Sequence, residues 1–200
     1  MITTEDAKVL IDLARKVIKA ALRGETVEIP QWIKERYSQP AGVFVTLKKG
    51  GKLRGCIGLP YPVMPLWKAT VHAALSAAFE DPRFTPVSDE GELDNITLEL
   101  TVLTPPRELE VEDKRLLPEL IKVGRDGLIV ETLGRSGLLL PQVPVEQGWD
   151  ARTFLAHTCL KAGLPPDCWL WDETKVKTFQ GLVFEELSPG GEVVKKELTP

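Results

Sequence analysis

The sequence lacks the features that mark several protein classes. Its three cysteines, Cys56, Cys159 and Cys168, show no CxxC spacing, so neither a zinc framework nor a disulfide scaffold is expected. No apolar run approaches the roughly 20 residues that a membrane helix needs. The first residues have neither the basic nor the apolar region of a secretory signal. We therefore expect a cytoplasmic protein that makes no contact with the membrane.

Neither sign of charge dominates, and the standard catalytic motifs are missing. The chain has 25 Lys and Arg against 29 Asp and Glu, which gives a net charge of −4. Extensive electrostatic binding of nucleic acid is therefore not expected by default, although a local basic patch leaves nucleic acid open. Because there is no GxGxxG, GxxxxGKS/T, HExxH or GxSxG pattern, and the histidines and cysteines are scattered, we expect no cofactor and no metal.

Regular apolar patterns, broken by glycine and proline, predict the fold class. Helix patterns cover residues 3–23, 66–79 and 150–162, and the second is alanine-rich and nearly apolar all round, which predicts burial against a sheet. Strand patterns at Val43–Leu47 and Lys52–Ile57 flank a glycine turn and predict a β-hairpin. Together these patterns predict an α+β fold, with a mostly antiparallel sheet and packed helices.

The second half of the chain adds further predicted elements. They are a strand at Asn95–Thr104, a hairpin turn at Asp126-Gly127, a non-helical loop over 140–150, and strands at Trp169–Trp171, Lys175–Glu185 and Glu192–Leu198. We expect a single domain over residues 1–200. Within it, the nearly helix-free residues from about 95 to 145 leave a smaller lobe, and thus a two-lobed molecule, open.

The segment from Leu53 to Gly58 has the strongest functional signal. If side chains alternate along a strand, Leu53 and Ile57 point into the core, while Arg54 lies beside Cys56 on the other face. A guanidinium group next to a thiol favours the thiolate, which is the nucleophilic form. This pattern makes Cys56 a candidate catalytic residue and Arg54 a candidate ligand-binding residue.

Gly55 and Gly58 flank Cys56 and remove side chains at both positions. Glycine inside a strand weakens it and indicates close approach by a ligand or by another backbone, so both are candidate ligand-binding positions. A structural interpretation is equally open. In that case Cys56 is a small buried residue of a tightly packed sheet, and the glycines let the alanine-rich helix approach.

Two further candidates lie on or after the alanine-rich helix. Asp81 and Arg83 occupy a rigid loop between prolines, where they either line a pocket, with Arg83 binding a carboxylate or phosphate, or form a clamp that locks the loop. His72 belongs to a polar stripe on the helix. It is a candidate general base for the thiol if the stripe faces Cys56; otherwise the stripe faces solvent.

The last candidates are Gln142 and Glu146, in the segment 140–150. Two prolines and a glycine predict that this segment is an extended loop, and loops carry binding residues more often than core elements do. Both residues are therefore candidate ligand contacts. The alternative is a stiff connector that delivers Asp150 to its place as a helix cap.

The residues resemble the AMMECR family, whose signature hexapeptide is identical to residues 53–58. The other matching blocks are Gly42–Leu47, Asp81–Phe84, Val123–Leu128, Leu139–Val143, Gly148–Asp150 and Lys161–Pro165. Because several blocks match in the same order, the resemblance covers most of the chain. It implies a cytosolic, single-domain member of archaeal type, and it supplies no reaction.

Family members occur beside, or fused to, Memo-like and radical-SAM proteins, and the resemblance therefore implies a shared modification pathway with such partners. Two function classes stay open. In the first, an enzyme or enzyme subunit uses Cys56, while Arg54 and Arg83 bind a small anionic ligand such as a nucleotide. In the second, an adaptor docks a partner protein through the same surface. A concave site with Cys56 at its floor would favour the first class.

Overall fold

The computed structural model describes residues 1–197. Its helices are α1 Thr4–Leu22, α2 Gln31–Arg36, α3 Leu66–Phe79, α4 Glu90–Leu93, α5 Leu117–Leu120, α6 Gln142–Gln147 and α7 Ala151–Lys161. Its strands are β1 Val43–Lys49, β2 Lys52–Leu59, β3 Ile96–Leu103, β4 Arg107–Glu108, β5 Asp126–Thr132, β6 Arg135–Leu139, β7 Lys175–Glu186 and β8 Val193–Lys196. The predicted α+β fold with antiparallel pairing is confirmed.

The residues group into two compact units. The first comprises Met1–Leu103 and Leu182–Lys196, and the second comprises Thr104–Gly181. Strand β7 contributes its first seven residues to the second unit and the remainder to the first. The single domain over 1–200 and its smaller lobe near 95–145 stay predictions.

In the first unit, helices cover one face of an antiparallel sheet. β1 lies between β2 and β3, the end of β7 pairs with β8, and α1 and α3 pack on the sheet. Val43, Val45 and Leu47 of β1 are buried in the core with both helices. Because side chains alternate along a strand, Thr46 lies on the opposite face of the sheet. The predicted hairpin and the buried alanine-rich helix are confirmed.

Helix α1 begins where the sequence predicts because Thr3 caps it. Thr3 Oγ1 accepts the amide of Asp6 at 3.2 Å, and the Asp6 carboxylate accepts the amide of Thr3 at 3.0 Å. Arg36 and the Tyr37 hydroxyl also donate to Asp6, which ties the end of α2 to α1. Burial raises the pKa of Asp6, but these hydrogen bonds outweigh burial and lower the pKa to about 2.

The second unit has its own sheet and core. β5 lies between β6 and the first part of β7, β4 also pairs with β7, and α7 packs on β5 and β6. Leu128, Val130, Phe154 and Leu155 are fully buried between sheet and helix. The Asp150 carboxylate accepts the amide of Thr153 at 2.8 Å, so the predicted cap of α7 is confirmed.

A disulfide joins Cys159 to Cys168, contrary to the expectation from the sequence. The Cα atoms are 5.9 Å apart and both residues are fully buried. The chain reverses direction at Gly163, where φ is +74°, and this brings the short 3-10 helix Cys168–Leu170 back against the last turn of α7. The odd number of cysteines therefore leaves Cys56 as the free thiol.

The predicted turn at Asp126-Gly127 is wrong, since both residues belong to β5. The Asp126 carboxylate is buried and accepts hydrogen bonds from the amide of Lys122 and the side chains of Arg125 and Gln180. These bonds hold it at the start of the strand. The hairpin turn lies instead at Leu133-Gly134, where both residues have positive φ.

Three other local predictions differ from the structure. Residues 142–147 form helix α6, because prolines at the N-cap and in the first turn need no amide partner there. Residues 168–170 form a 3-10 helix rather than a strand. The last strand ends at Lys196, and Leu198 lies outside the described residues.

Candidate functional site

The pairing of β1 with β2 is irregular at the predicted site, and this changes which side chains are neighbours. Lys48 pairs with Leu53 and Leu47 with Gly55, so Arg54 is an extra residue in a β-bulge. A bulge interrupts the alternation on which the sequence argument relied. Leu53, predicted to be in the core, is 43% exposed.

Arg54 binds a carboxylate rather than lying beside the thiol. Its Nε and Nη2 donate to Glu92 at 3.3 and 3.2 Å, and only 14% of each side chain is exposed. The pKa of Glu92 is lowered to about 2, mainly by its hydrogen bonds with Arg54. The Lys49 ammonium and the amide of Ser88 lower it further. The prediction that Arg54 and Cys56 form a pair on one face is wrong.

Cys56 lies in a cross-strand row with Thr46 and Glu99. Its Sγ is 3.1 Å from Thr46 Oγ1, and Thr46 pairs in turn with Glu99 of β3. Burial raises the pKa of the Cys56 thiol, and this effect outweighs the Thr46 hydrogen bond and the charge of Arg83. The thiol is therefore neutral at pH 7, opposite to the direction that the sequence predicted.

Gly55 and Gly58 are both explained by packing. A Cβ on Gly55 would collide with the backbone carbonyl of Ala77, so glycine lets α3 lie directly on β2. A Cβ on Gly58 would enter the ring of Phe44, which covers that position from β1. The contact of Gly55 fits the structural interpretation, in which glycine lets the alanine-rich helix approach. Gly58 is required by Phe44 of β1 and not by that helix, and its backbone is what it can contribute to a ligand site.

Asp81 and Arg83 form a clamp on the free edge of β2. The Asp81 carboxylate, 2% exposed, accepts Nε of Arg83 at 3.0 Å, Nη2 of Arg83 at 2.8 Å and the amide of Cys56 at 3.0 Å. Arg83 Nη2 also donates to the carbonyl of Cys56 at 3.2 Å. The Arg83 hydrogen bonds hold the pKa of Asp81 well below its usual range. The clamp interpretation therefore describes the geometry.

His72 does not reach the thiol. α3 packs on the face of β2 that carries Gly55, and Cys56, one residue further along, points to the opposite face. His72 is exposed on α3. The condition for a Cys56–His72 pair is therefore not met, and solvent surrounds the histidine.

Gln142 and Glu146 lie on α6, in the second unit, and both are exposed. Their predicted setting, an extended loop, is wrong. Their role as ligand contacts stays a prediction.

Thr46, Glu99 and Glu92 are the site residues that the sequence did not single out. The signal for Thr46 and Glu99 is strand register, because both lie in the same row as Cys56 only once β1 is paired with β2 and β3. Nothing local to Glu92 indicates that it binds Arg54, 38 residues earlier.

Residues 1–197 contain no group of His, Cys, Asp and Glu that could hold a metal ion. None of their helices is both long and apolar enough to cross a membrane. A groove of about 430 Å³ lies between the end of α1 and residues 25–28, and it is lined by Lys16, Lys19 and Arg23 together with Glu25 and Glu28.

Comparison with known proteins decides the family. The model of the AMMECR1 family matches residues 11–184. The chain belongs to the AMMECR1 family. Protein NEQ441 of Nanoarchaeum equitans is 53% identical over 178 residues, which are 88% of this chain and 98% of that protein. A protein of Aquifex aeolicus is 52% identical over 195 residues, 96% of this chain and 99% of its own length.

A solved structure is also similar to this chain. The crystal structure of the uncharacterized protein PH0010 from Pyrococcus horikoshii matches with a TM-score of 0.79 and 50% identity, over 96% of both chains. The resemblance to the family that the sequence indicated is therefore confirmed, and the match extends over nearly the whole chain.

Proposed function

We propose that the free edge of β2, from Cys56 to Gly58, binds a small anionic ligand such as the phosphate group of a nucleotide. The observation that carries this proposal is the position of Arg83. Its guanidinium group is fixed at the carbonyl of Cys56, while 56% of the side chain remains exposed. A cation that is held in place and still reaches solvent suits recognition of phosphate or carboxylate.

The clamp leaves one side of the guanidinium group for a ligand. Arg83 makes its bonds through Nε and Nη2, and Nη1 takes part in none of them. Because Asp81 is buried and holds Nε and Nη2 of Arg83, the orientation of the guanidinium group is set before any ligand arrives. Such preorganisation reduces the entropy cost of binding.

The backbone of β2 supplies a second donor at the same edge. The amide and carbonyl of Cys56 point away from β1, since both are bonded to the clamp. The pattern of an antiparallel ladder repeats every two residues, so the amide of Gly58 points to that edge as well. An anion there would meet Arg83 and a backbone amide.

The proposed site uses fewer residues than the sequence predicted as ligand contacts. Arg54 is buried against Glu92 and is not part of the proposed site. Cys56 enters as a neutral thiol beside the ligand, and a reaction at this thiol stays a prediction. Arg83 and Gly58 are the contacts, and Asp81 positions Arg83.

Isothermal titration with inorganic phosphate, pyrophosphate and a panel of nucleotides tests this proposal. We expect one of these ligands to bind, and Arg83→Ala to weaken binding by about 1.5–3 kcal/mol, roughly 10- to 150-fold in Kd. Arg115→Ala is the matched control. Arg115 forms the same two-bond fork with Asp113 two residues earlier, but that carboxylate is 40% exposed and touches no strand edge. The control should bind like the unmodified protein.

The purely structural clamp gives a different result for the same variant. If Arg83→Ala lowers stability and leaves ligand binding unchanged, or if no anion binds at all, the proposal is wrong.

A second candidate function is favoured by the exposure of Leu53. The β-bulge places Leu53 of the hexapeptide on the exposed side of β2, and in this function the leucine is an apolar contact for a partner protein. In this adaptor function the partner is a Memo-like protein, as the family resemblance suggests. Titrating a Memo-like protein into the chain should then give binding that Leu53→Ser abolishes and Leu133→Ser, at another exposed leucine, does not. Equal binding by both variants would exclude Leu53 as the contact.

A further inference from the structure

We infer that Asp81 and Arg83 act as a latch that closes the edge of β2 beside Cys56 and controls the access of reagents to its thiol. This inference goes beyond anion binding, because it concerns the protein without any ligand. Cys56 is the free cysteine of the chain, and the structure leaves it only partly exposed.

The latch takes the place of a neighbouring strand. In an antiparallel sheet, a residue whose polar groups face its neighbour donates one hydrogen bond and accepts another. At Cys56, the Asp81 carboxylate accepts the amide and Arg83 Nη2 donates to the carbonyl. Two side chains from one loop thus satisfy both backbone groups at the centre of an edge that has no other strand partner within residues 1–197.

The loop is fixed at its ends and exposed between them. The amide of Phe84 bonds the carbonyl of Asp81 at 3.1 Å, and the amide of Val87, a buried residue, bonds the carbonyl of Ala78 at 2.9 Å. Pro82, Arg83 and the segment 85–86 face solvent. Opening therefore requires loss of the Asp81–Arg83–Cys56 bonds and little repacking of the core.

The charges around the thiol belong to the latch and to the sheet row. Asp81 and Arg83 act on Cys56 from the loop, and Glu99 acts from β3. A change at Asp81 therefore alters the ionisation of the thiol as well as the bonds that close the edge beside it. The plateau rate of a thiol reagent at high pH, where the thiol is fully ionised, separates access from ionisation.

Reaction with 5,5′-dithiobis(2-nitrobenzoate) tests the latch. The Cys56 thiolate attacks the reagent's disulfide, forms a mixed disulfide and releases one coloured thiolate. Since Cys159 and Cys168 are joined, Cys56 is the cysteine that reacts in the native protein. We expect Asp81→Asn to raise the plateau rate about tenfold or more, the factor expected from loss of one charge-assisted hydrogen bond.

Asp126→Asn is the control for general destabilisation. Asp126 is also buried and also holds a half-exposed arginine, Arg125, through two bonds, but it lies in the second unit. Its plateau rate should stay within about twofold of the unmodified protein, because the bonds of Asp126 go to Lys122, Arg125 and Gln180 and not to the edge of β2. If Asp81→Asn leaves the plateau unchanged, or if Asp126→Asn raises it equally, the latch does not exist.

A milder variant covers the case in which Asp81→Asn does not fold. Arg83→Gln removes the paired fork and keeps the Asp81 bond to the amide of Cys56. Circular dichroism verifies its fold, and its plateau rate should still rise at least about threefold, since one bond to the edge is lost. An unchanged plateau in a folded Arg83→Gln protein would equally overturn the inference. If the latch is disproved, the proposal of anion binding still stands on its own titration, because the thiol reaction involves no anionic ligand.

Discussion

Replacing Arg15 by methionine is expected to lower the free energy of unfolding by about 3–5 kcal/mol, the cost of leaving a buried charge unpaired. The partner is Glu186, whose side chain is fully buried and whose Oε1 lies 2.7 Å from Arg15 Nη2. Arg15 also donates to the carbonyls of Leu93 and Ile96 at 3.0 and 2.7 Å. The substitution therefore removes the counter-ion of a buried carboxylate, which keeps hydrogen bonds from the amides of Leu98 and Gly190, and it removes a donor from each of two carbonyls.

Denaturant unfolding at pH 7 measures this effect, and a surface pair supplies the control. Arg23→Met removes the ion pair between Arg23, the C-cap of α1, and Glu90. The two side chains are 48% and 36% exposed, so this loss should be much smaller than that of Arg15→Met. The double variant Arg15→Met, Glu186→Gln should recover part of the loss, because no buried charge is left unpaired. Equal losses for Arg15→Met and Arg23→Met would show that the buried pair is not important for stability.

Replacing Gly55 by alanine should destabilise the protein by about 2–3 kcal/mol. The added Cβ meets the carbonyl oxygen of Ala77, a backbone atom that cannot move without shifting α3, and overpacking of this kind costs energy. Alanine also lowers the entropy of the unfolded chain, which works in the opposite direction by about 0.4–1 kcal/mol. The free-energy cost of the collision therefore has to exceed this entropic stabilisation.

Unfolding in guanidinium chloride measures this loss of stability, and Gly91→Ala is the control. A Cβ on Gly91 meets only the Asp89 side chain, at 3.2 Å, and alanine favours the helical backbone of α4. Gly91→Ala should be neutral or slightly stabilising. A Gly55→Ala protein as stable as the unmodified one would mean that the approach of α3 is not the reason for glycine there.

Much of the first unit could be predicted because its signals are local. Thr3 and Asp6 cap α1 within one turn, Gly50 and Gly51 define the first hairpin, and the alanine-rich composition of α3 indicates its burial. One of the two alternatives for the glycines of β2 linked them to α3, and this holds for Gly55 but not for Gly58, which meets Phe44.

The errors arise where long-range pairing overrides a local pattern. One extra residue in the β1–β2 ladder separates Arg54 from Cys56, and no sequence period shows a bulge of this kind. Asp126-Gly127 has the composition of a turn, but pairing with β7, including the bond from Gln180 to Asp126, holds it in a strand. The pairing of Cys159 with Cys168 is a local contact instead, and it depends on the turn at Gly163.

The central claim is that the ligand site lies at the edge of β2. Proton–nitrogen NMR tests it most directly, by following the backbone amides during titration with the anion that binds in calorimetry. We expect the largest shifts at the amides of Cys56, Gly58 and Phe84, and we expect Arg83→Ala to remove them while Arg115→Ala does not. Shifts centred on the groove at residues 16–28 would contradict the account, because an anion would then bind the basic end of α1 instead. Shifts at the β2 edge that persist in Arg83→Ala would contradict it equally.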